Sequence, residues 1–422
     1  MNSNARLARR LTTFDATVIG VGSMVGAGVF AAFAPAAHAA GSGLIIGLAI
    51  AAIVAWCNAS ASAQLAAAYP VAGGTYVYGR ERLGAWWGFT AGWSFIVGKT
   101  ASCAAMALVC AAYVSPAGGE KLVAVLAVVL VTGINLGGIT RTANATKVIV
   151  TIVVVVLVGV AVVALGGVSG SAAQPFVVDA LDVYSILQSA GILFFAFAGY
   201  ARIATLGEEV QNPRRAIPRA IMAALGISAV LYCAIGVALL AVLGPDRLAA
   251  SRAPVTELLS HAGWGAASPV VAVTAALASL GALLALTAGI ARTTLAMART
   301  RDLPRWFDAI HPRSLVPHRA ELLGASVVIA VILIVDVRGA IAFSSFGVLL
   351  YYFIANVAAF TQPAAQRLVS RAANILGATA CIVLAVTLPP LGVAAGIIVV
   401  AAGIPVRLLS NRQSRPLFIP ST

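Results

Sequence analysis

Charged residues are scarce in this chain, and their scarcity excludes most classes of protein. Only 9% of its 422 residues are charged, whereas soluble domains contain about 25%. A soluble enzyme and a disordered protein are therefore excluded, because both need a largely polar, charged surface. The composition also excludes a disulfide scaffold. The five cysteines lie in apolar runs and lack metal-ligand spacing. A transmembrane β-barrel is disfavoured, because its lumen needs polar residues in regular alternation.

Apolar sequence, by contrast, is abundant. Hydrophobic residues make up 61% of the chain, and a bilayer-spanning helix needs about 20 of them, so the composition allows roughly a dozen spans. We predict an all-α membrane protein in which residues 1–422 form one polytopic domain. The predicted spans 1 to 12 cover residues 14–38, 43–67, 86–113, 121–138, 145–167, 184–207, 217–243, 266–298, 319–337, 341–361, 372–388 and 391–409.

The basic residues indicate the orientation of the spans. Four of the 27 lie in loops on one side, three lie within spans, and the rest lie on the side of both termini. The four are Lys121, Arg247, Arg252 and Arg338, and the three are Lys99, Arg202 and Arg292. This asymmetry predicts cytoplasmic N- and C-termini, and we expect a multi-pass protein of a bacterial plasma membrane. The net charge of +14 thus reflects membrane topology. We expect the protein to contact the lipid bilayer, and we expect neither nucleic acid nor an obligate protein partner.

Two spans contain a weak point for a helix near their centre. Span 1 carries Gly20, Gly22, Gly26 and Gly28, and span 6 carries the run Phe194-Phe195-Ala196-Phe197-Ala198-Gly199-Tyr200. Four spans separate them, so spans 1–5 and 6–10 form two halves of five with opposite orientations, as in an inverted repeat. The predicted repeats cover residues 1–167 and 184–361, and residues 372–409 form two accessory helices.

A helix broken in mid-membrane can bind a zwitterion through its backbone. The amide end of the break attracts a carboxylate, and the carbonyl end attracts an ammonium group. Glycine suits such a break because it leaves the backbone uncovered. The alternative for span 1 is close helix packing, since Gly22 and Gly26 also form a small-xxx-small motif.

Four segments, in order along the chain, carry a resemblance to one transporter superfamily. They are Gly22-Ser23-Met24-Val25-Gly26-Ala27-Gly28-Val29-Phe30, Tyr69-Pro70-Val71-Ala72-Gly73-Gly74-Thr75-Tyr76, Glu208-Glu209-Val210-Gln211-Asn212-Pro213, and Ala296-Met297-Ala298-Arg299 with Leu303-Pro304 and His311-Pro312. In these segments the chain resembles the amino acid–polyamine–organocation superfamily. The resemblance implies two inverted five-helix repeats with two added helices, and transport of amino acids or related amines by alternating access, without a cofactor, a metal or enzymatic activity.

The resemblance also implies a substrate site. The substrate carboxylate is expected at Gly26, Ala27 and Gly28, and its amine at carbonyls near Met24 and Val25 and in the segment Phe195, Ala196, Phe197, Ala198 and Gly199. Phe195 aligns with an aromatic gate of some relatives, although an ordinary packing role is the alternative. Ala201 stands where many relatives have an acidic residue, which favours neutral amino acids. An organic cation or polyamine permease, an amino acid exchanger and a non-transporting sensor remain alternatives.

Lys99 lies near the middle of span 3, too far from either end for its amine to reach water. A lysine there costs roughly 2.5–3.5 kcal/mol on insertion scales. We interpret Lys99 as the proton-coupling residue, and the alternative is a structural bond to carbonyls of the break in span 1. Sodium coupling through Thr287, Thr293 or Thr294 of span 8 is a further alternative. A gate on the cytoplasmic side is expected between Arg292 and the pair Glu208 and Glu209.

Overall fold

A computed structural model of the chain describes residues 11–70, 73–116, 118–138, 143–166, 182–207 and 209–412. Within these ranges the secondary structure consists of helices joined by loops. The same ranges contain no strand, and an isolated parallel bridge joins Leu11 to Val210. The first half comprises α1 (Thr13–Val25), α2 (Gly28–Ala31), α3 (Phe33–Ala40), α4 (Leu44–Ala68), α5 (Thr75–Leu83), α6 (Ala85–Val114), α7 (Glu120–Leu136) and α8 (Ala143–Gly166). The all-α membrane architecture predicted from the sequence is confirmed.

The second half repeats this pattern of long apolar helices interrupted by short ones. It comprises α9 (Val183–Phe197), α10 (Ala201–Ala204), α11 (Pro213–Ala250), α12 (Pro254–His261), α13 (Ser268–Arg299), α14 (His318–Ile334), α15 (Val337–Phe360), α16 (Arg371–Thr387) and α17 (Pro390–Arg412). Short 3₁₀ turns lie at Gly41–Gly43, Ala198–Tyr200, Gly265–Ala267, Arg305–Asp308 and Ala364–Gln366. The long helix α11 bends at Gly244, whose φ of 71° only glycine adopts readily, directly before Pro245.

The predicted spans correspond to these helices. Within the described ranges, 9 helical segments are long and apolar enough to cross a membrane. The predicted spans 4, 9 and 11 are shorter, since α7, α14 and α16 contain 17 residues each. At 1.5 Å per residue such a helix is about 25 Å long, slightly less than the hydrocarbon core of a bilayer. The proposed boundaries of the two repeats stay a prediction.

The helices differ in how much surface they bury. The middle of α6 is buried on all sides and packs against α13 and α15, whereas α8 and α17 lie at the periphery. The peripheral helices expose large apolar side chains such as Val155, Val162 and Ile398. In water such surfaces would be unfavourable, whereas in lipid they are not. The more buried helices α1, α6, α9 and α15 therefore lie towards the centre of the protein, where both predicted helix breaks lie.

Candidate substrate site at two helix breaks

The first break separates α1 from α2 at Gly26 and Ala27. Helix α1 ends at Val25, and Gly26 has the non-helical dihedrals φ −47° and ψ −107°. The chain resumes a helical path at Gly28 without a side-chain cap on α2. Met24, Val25 and Ala27 are each only 1% exposed. The sequence therefore predicted the position of this break, and the break lies in the protein core.

The second break follows Phe197. Helix α9 ends there, the 3₁₀ turn Ala198–Tyr200 follows, and the short α10 begins at Ala201. Ala196, Phe197 and Ala198 are at most 3% exposed. This break also coincides with the segment predicted from the sequence.

The two breaks touch through their backbones. A Cβ atom added to Gly199 would lie 2.3 Å from the carbonyl oxygen of Ser23 and 2.5 Å from the amide nitrogen of Met24. A Cβ atom added to Gly28 would lie 2.6 Å from the Cα atom of Ala196. Each break thus contributes a glycine that admits the backbone of the other. Close packing is therefore observed at a helix break, and substrate binding there stays a prediction.

Helix α13 packs on the other side of the first break. A Cβ atom added to Gly26 would lie 2.7 Å from the Cβ atom of Ala282. The hydroxyls of α13 that could bind sodium are engaged within the helix: Thr287 donates to Leu283 O, Thr293 to Gly289 O and Thr294 to Ile290 O. The described structure thus uses these three hydroxyls as donors to their own helix.

Lys99 reaches the second break, not the first. Its Nζ atom donates to the carbonyl oxygen of Ala198 at 3.2 Å, and the residue is 7% exposed. The structural alternative had placed this bond on span 1, and the structure places it on span 6. Within the described ranges no carboxylate lies within 4.0 Å of the amine. Lys99 is therefore a buried amine beside the break without a described counter-ion.

Tyrosine hydroxyls hold the carbonyls of the second break. Tyr352 of α15 donates to Ala198 O at 3.2 Å, so this carbonyl accepts from both Tyr352 and Lys99. Tyr232 of α11 donates to Ala196 O at 3.0 Å, and its ring packs edge-on against Phe197. Tyr352 thus joins α15 to the second break. Together, Tyr352 and Lys99 use both lone pairs of Ala198 O.

No ion pair joins the predicted gating residues in the described structure. Phe195 is buried, with 8% exposure. Glu209 forms part of the loop that bonds to the N-terminal segment, since Leu11 donates its amide to Glu209 O at 3.0 Å. Arg292 is exposed on α13, and no ion pair joins it to Glu209 in the described structure. Glu208 lies outside the described residues. Gating by Phe195, Glu208, Glu209 and Arg292 stays a prediction.

Sequence reasoning missed an ionic cluster around Asp302, outside the spans. The Asp302 carboxylate binds Arg80 at 2.9 Å and Arg407 at 2.9 Å, and accepts from the Tyr76 hydroxyl at 2.8 Å. Asp302 is 2% exposed, and burial raises the pKa of Tyr76 to about 12. The cluster ties α5 to α17 and to the loop after α13. Two of the motif segments, around Tyr76 and Leu303, thus meet in space.

Glycines allow the loop before α5 to approach the core. Gly73 and Gly74 have φ values of 122° and 55°, which glycine adopts at low cost. A Cβ atom on Gly74 would lie 2.8 Å from the Tyr351 hydroxyl, and the Thr75 amide donates to that hydroxyl at 3.1 Å. The Gly-Gly pair of the second motif therefore positions α5 on α15, one residue from Tyr352.

The fold and the paired breaks define a multi-pass membrane transporter. The model of the amino acid permease family matches residues 15–406, so the chain belongs to that family. It is 56% identical, over 97% of its length and 93% of the relative, to an uncharacterised transporter of Mycobacterium tuberculosis. It is 29% identical to cationic amino acid transporter 6, chloroplastic, of Arabidopsis thaliana, over 85% of its own length and 67% of the relative. It is 25% identical to the branched-chain amino acid permease BcaP of Bacillus subtilis, over 74% of its own length and 72% of the relative. The relatives are named as transporters, which confirms that the chain is not an enzyme.

Proposed function

We propose that the chain is a secondary active transporter that imports neutral amino acids together with protons by alternating access. The observation that carries the proposal is the contact between the two breaks, with the Lys99 amine on the carbonyl of Ala198. Backbone amides and carbonyls freed at such breaks suit the carboxylate and the ammonium group of an amino acid. The substrate would lie along residues 24–28 and 195–199, beside the contact between the two breaks.

Lys99 supplies the coupling in this proposal. Because the two breaks touch, a charged Lys99 would attract the substrate carboxylate at the first break, and a neutral amine would not. The substrate ammonium group would then bind carbonyls of the breaks other than Ala198 O, which Lys99 occupies. Proton and substrate therefore favour each other's binding, and this reciprocity is what symport requires. Ala198 O accepts a hydrogen bond from the lysine in either protonation state, so the side chain keeps its place when the proton leaves.

The absence of a carboxylate at the breaks favours neutral substrates. In the described spans the acidic groups lie elsewhere: Asp15 pairs with Lys147, and Glu321 contacts Asn135. A cationic substrate side chain would find only carbonyls there. BcaP is named for branched-chain amino acids, in agreement with this reading. Transport of cationic amino acids or other organic cations is the second candidate, and the name of the Arabidopsis relative favours it.

The orientation and the gates belong to the same proposal. The distribution of basic residues supports cytoplasmic termini in a bacterial plasma membrane. Arg292 and Glu209 then lie towards the cytoplasm, where they would pair in a state that closes this side. Phe195 would cover the substrate on the second break.

The test is uptake into proteoliposomes of pooled labelled amino acids, with an inward proton gradient and no sodium. We expect accumulation of neutral amino acids that a protonophore abolishes. Competition by excess leucine but not by excess arginine would support the neutral class. Exchange without gradient-driven accumulation would refute proton coupling, and accumulation of arginine alone would establish the second candidate.

A further inference from the structure

A buried carboxyl group lies between α7, α13 and α14, outside the substrate site. Glu321 of α14 is 5% exposed, and its Oε2 atom lies 3.5 Å from the Nδ2 atom of Asn135 on α7. Across the described ranges no basic side chain lies within 4.0 Å of this carboxylate. A buried charge without a close partner is costly, and protonation is the usual way for a carboxyl group to avoid that cost.

Hydrogen-bond accounting also points to a proton here. The Asn135 amide nitrogen lies 2.8 Å from Thr287 Oγ1, 3.4 Å from Leu284 O and 3.5 Å from Glu321 Oε2. An amide NH₂ has two hydrogens, so three acceptors compete for them. Glu321, at the longest distance, is the acceptor with the weakest share. Leu284 O also accepts from the Thr287 hydroxyl at 3.2 Å, so Glu321 is the oxygen with the poorest donor, and a proton on its carboxyl group would let it donate instead.

Few ionisable groups lie near Glu321 on the helices that pack against α14. Its electrostatic neighbours are the exposed Arg292 of α13 and the buried Cys103 of α6. On α7 the charged residues, Glu120 and Lys121, stand at the opposite end from Asn135. On the described helices packed against α14, Arg292 is thus the cation that faces Glu321, and its side chain is exposed.

The other charges around α14 are already engaged or lie in loops. On α14 itself, His318 and Arg319 are in the first turn, and Arg319 donates to Trp306 O at 3.2 Å. In the turn Arg305–Asp308, which packs on α14, Asp308 pairs with Arg299 at 3.1 Å. None of these groups forms an ion pair with Glu321 in the described structure.

Glu321 is connected to the paired breaks by two routes. Through α13, Thr287, which Asn135 also contacts, lies five residues from Ala282, which packs on Gly26. That separation is about 7.5 Å along the helix. The second route is α6, which carries Lys99 and packs against α14. A change of charge at Glu321 therefore acts on helices that form the substrate site.

We propose that Glu321 is a second proton-binding residue of the transport cycle, beside Asn135, which also contacts Thr287. This inference rests on the proposed proton coupling. In the step, the carboxylate accepts one proton and forms one O–H bond, and the site changes from negative to neutral. Protonation removes the electrostatic barrier to movement of α13 against α7 and α14, and deprotonation restores it.

The test compares the wild-type protein with Glu321→Gln, Glu321→Asp and the exposed control Glu81→Gln in proteoliposomes. Infrared difference spectra between acidic and alkaline pH report protonated carboxyl groups directly, without transport. We expect a carboxyl band that disappears in Glu321→Gln, persists with a shift in Glu321→Asp, and is unchanged in Glu81→Gln. We also expect Glu321→Gln to keep substrate exchange but to lose accumulation down to the level of a protonophore control.

Other outcomes would overturn the inference. A spectrum of Glu321→Gln identical to that of the wild type, or wild-type accumulation by Glu321→Gln, shows that Glu321 binds no coupled proton. Sodium-dependent transport that is lost in Glu321→Gln makes the cluster a cation site instead. If the wild-type protein itself accumulates nothing in a proton gradient, the proposed function fails, and the infrared band alone then decides whether Glu321 binds a proton.

Discussion

Replacing Gly199 by alanine tests the contact between the two breaks. The added Cβ atom would lie 2.3 Å from Ser23 O and 2.4 Å from Ser23 C, whereas ordinary contacts begin near 3.4 Å. These are backbone atoms, so relief requires a shift of about 1 Å of one broken helix. Overpacking typically costs 1–3 kcal/mol, and we expect about 3 kcal/mol because no side chain can rotate away. If transport needs this contact, about 3 kcal/mol corresponds to a loss of more than about 100-fold.

The assay is substrate exchange in proteoliposomes that contain equal amounts of folded protein, with thermal unfolding measured in parallel. Gly226→Ala is the matched control, because Gly226 is helical in α11 and has no atom within 4 Å of an added Cβ. This control should transport as the wild type and be more stable by up to about 1 kcal/mol. Gly199→Ala transporting at the wild-type rate would refute the argument that the breaks must touch.

Three further predictions concern charged and polar groups. Lys99→Met should keep substrate exchange but lose accumulation driven by a proton gradient, and wild-type accumulation would remove Lys99 from the coupling. Asp302→Asn should lower the free energy of unfolding by about 3 kcal/mol, because it leaves Arg407 buried without its partner. Asp308→Asn changes an exposed pair and should lower the free energy of unfolding by less than about 1 kcal/mol. Burial raises the pKa of Tyr76 from 10.0 to about 12. Its neutral form therefore stabilises the fold fully below pH 10, and this contribution is lost as the pH rises towards 12. Between pH 10 and pH 12 the unfolding temperature of Tyr76→Phe should fall less steeply than that of the wild type, and an unchanged slope would contradict this.

The helices and both breaks could be predicted from the sequence because each has a local cause. Long apolar runs determine the spans, and the stretches around Gly26 and Gly199 are weak points within them. The depth of Lys99 followed from counting residues along its span. Its acceptor did not, because the choice between the two breaks depends on how α6 faces α9, and no local pattern encodes that.

The clusters that were missed involve residues distant in sequence. Glu321 stands three residues into α14, where a carboxylate is indistinguishable from an ordinary charge at a membrane boundary. It is buried because α14 packs on α6, α7 and α13, and its partner Asn135 lies 186 residues earlier. Asp302 lies in a loop and is buried only because α5 and α17 supply Arg80 and Arg407. The one signal for the Glu321 cluster in the sequence was a polar residue near the end of another span, Asn135.

The measurement that tests the central claim most directly is equilibrium binding of the amino acid found by pooled uptake, on purified protein at saturating proton concentration. The account predicts saturable binding by the wild type and by Gly226→Ala, and strongly weakened binding by Gly28→Ala and Gly199→Ala, whose added Cβ atoms meet backbone of the opposite break. Equal affinities in all four proteins would contradict a substrate site at the paired breaks.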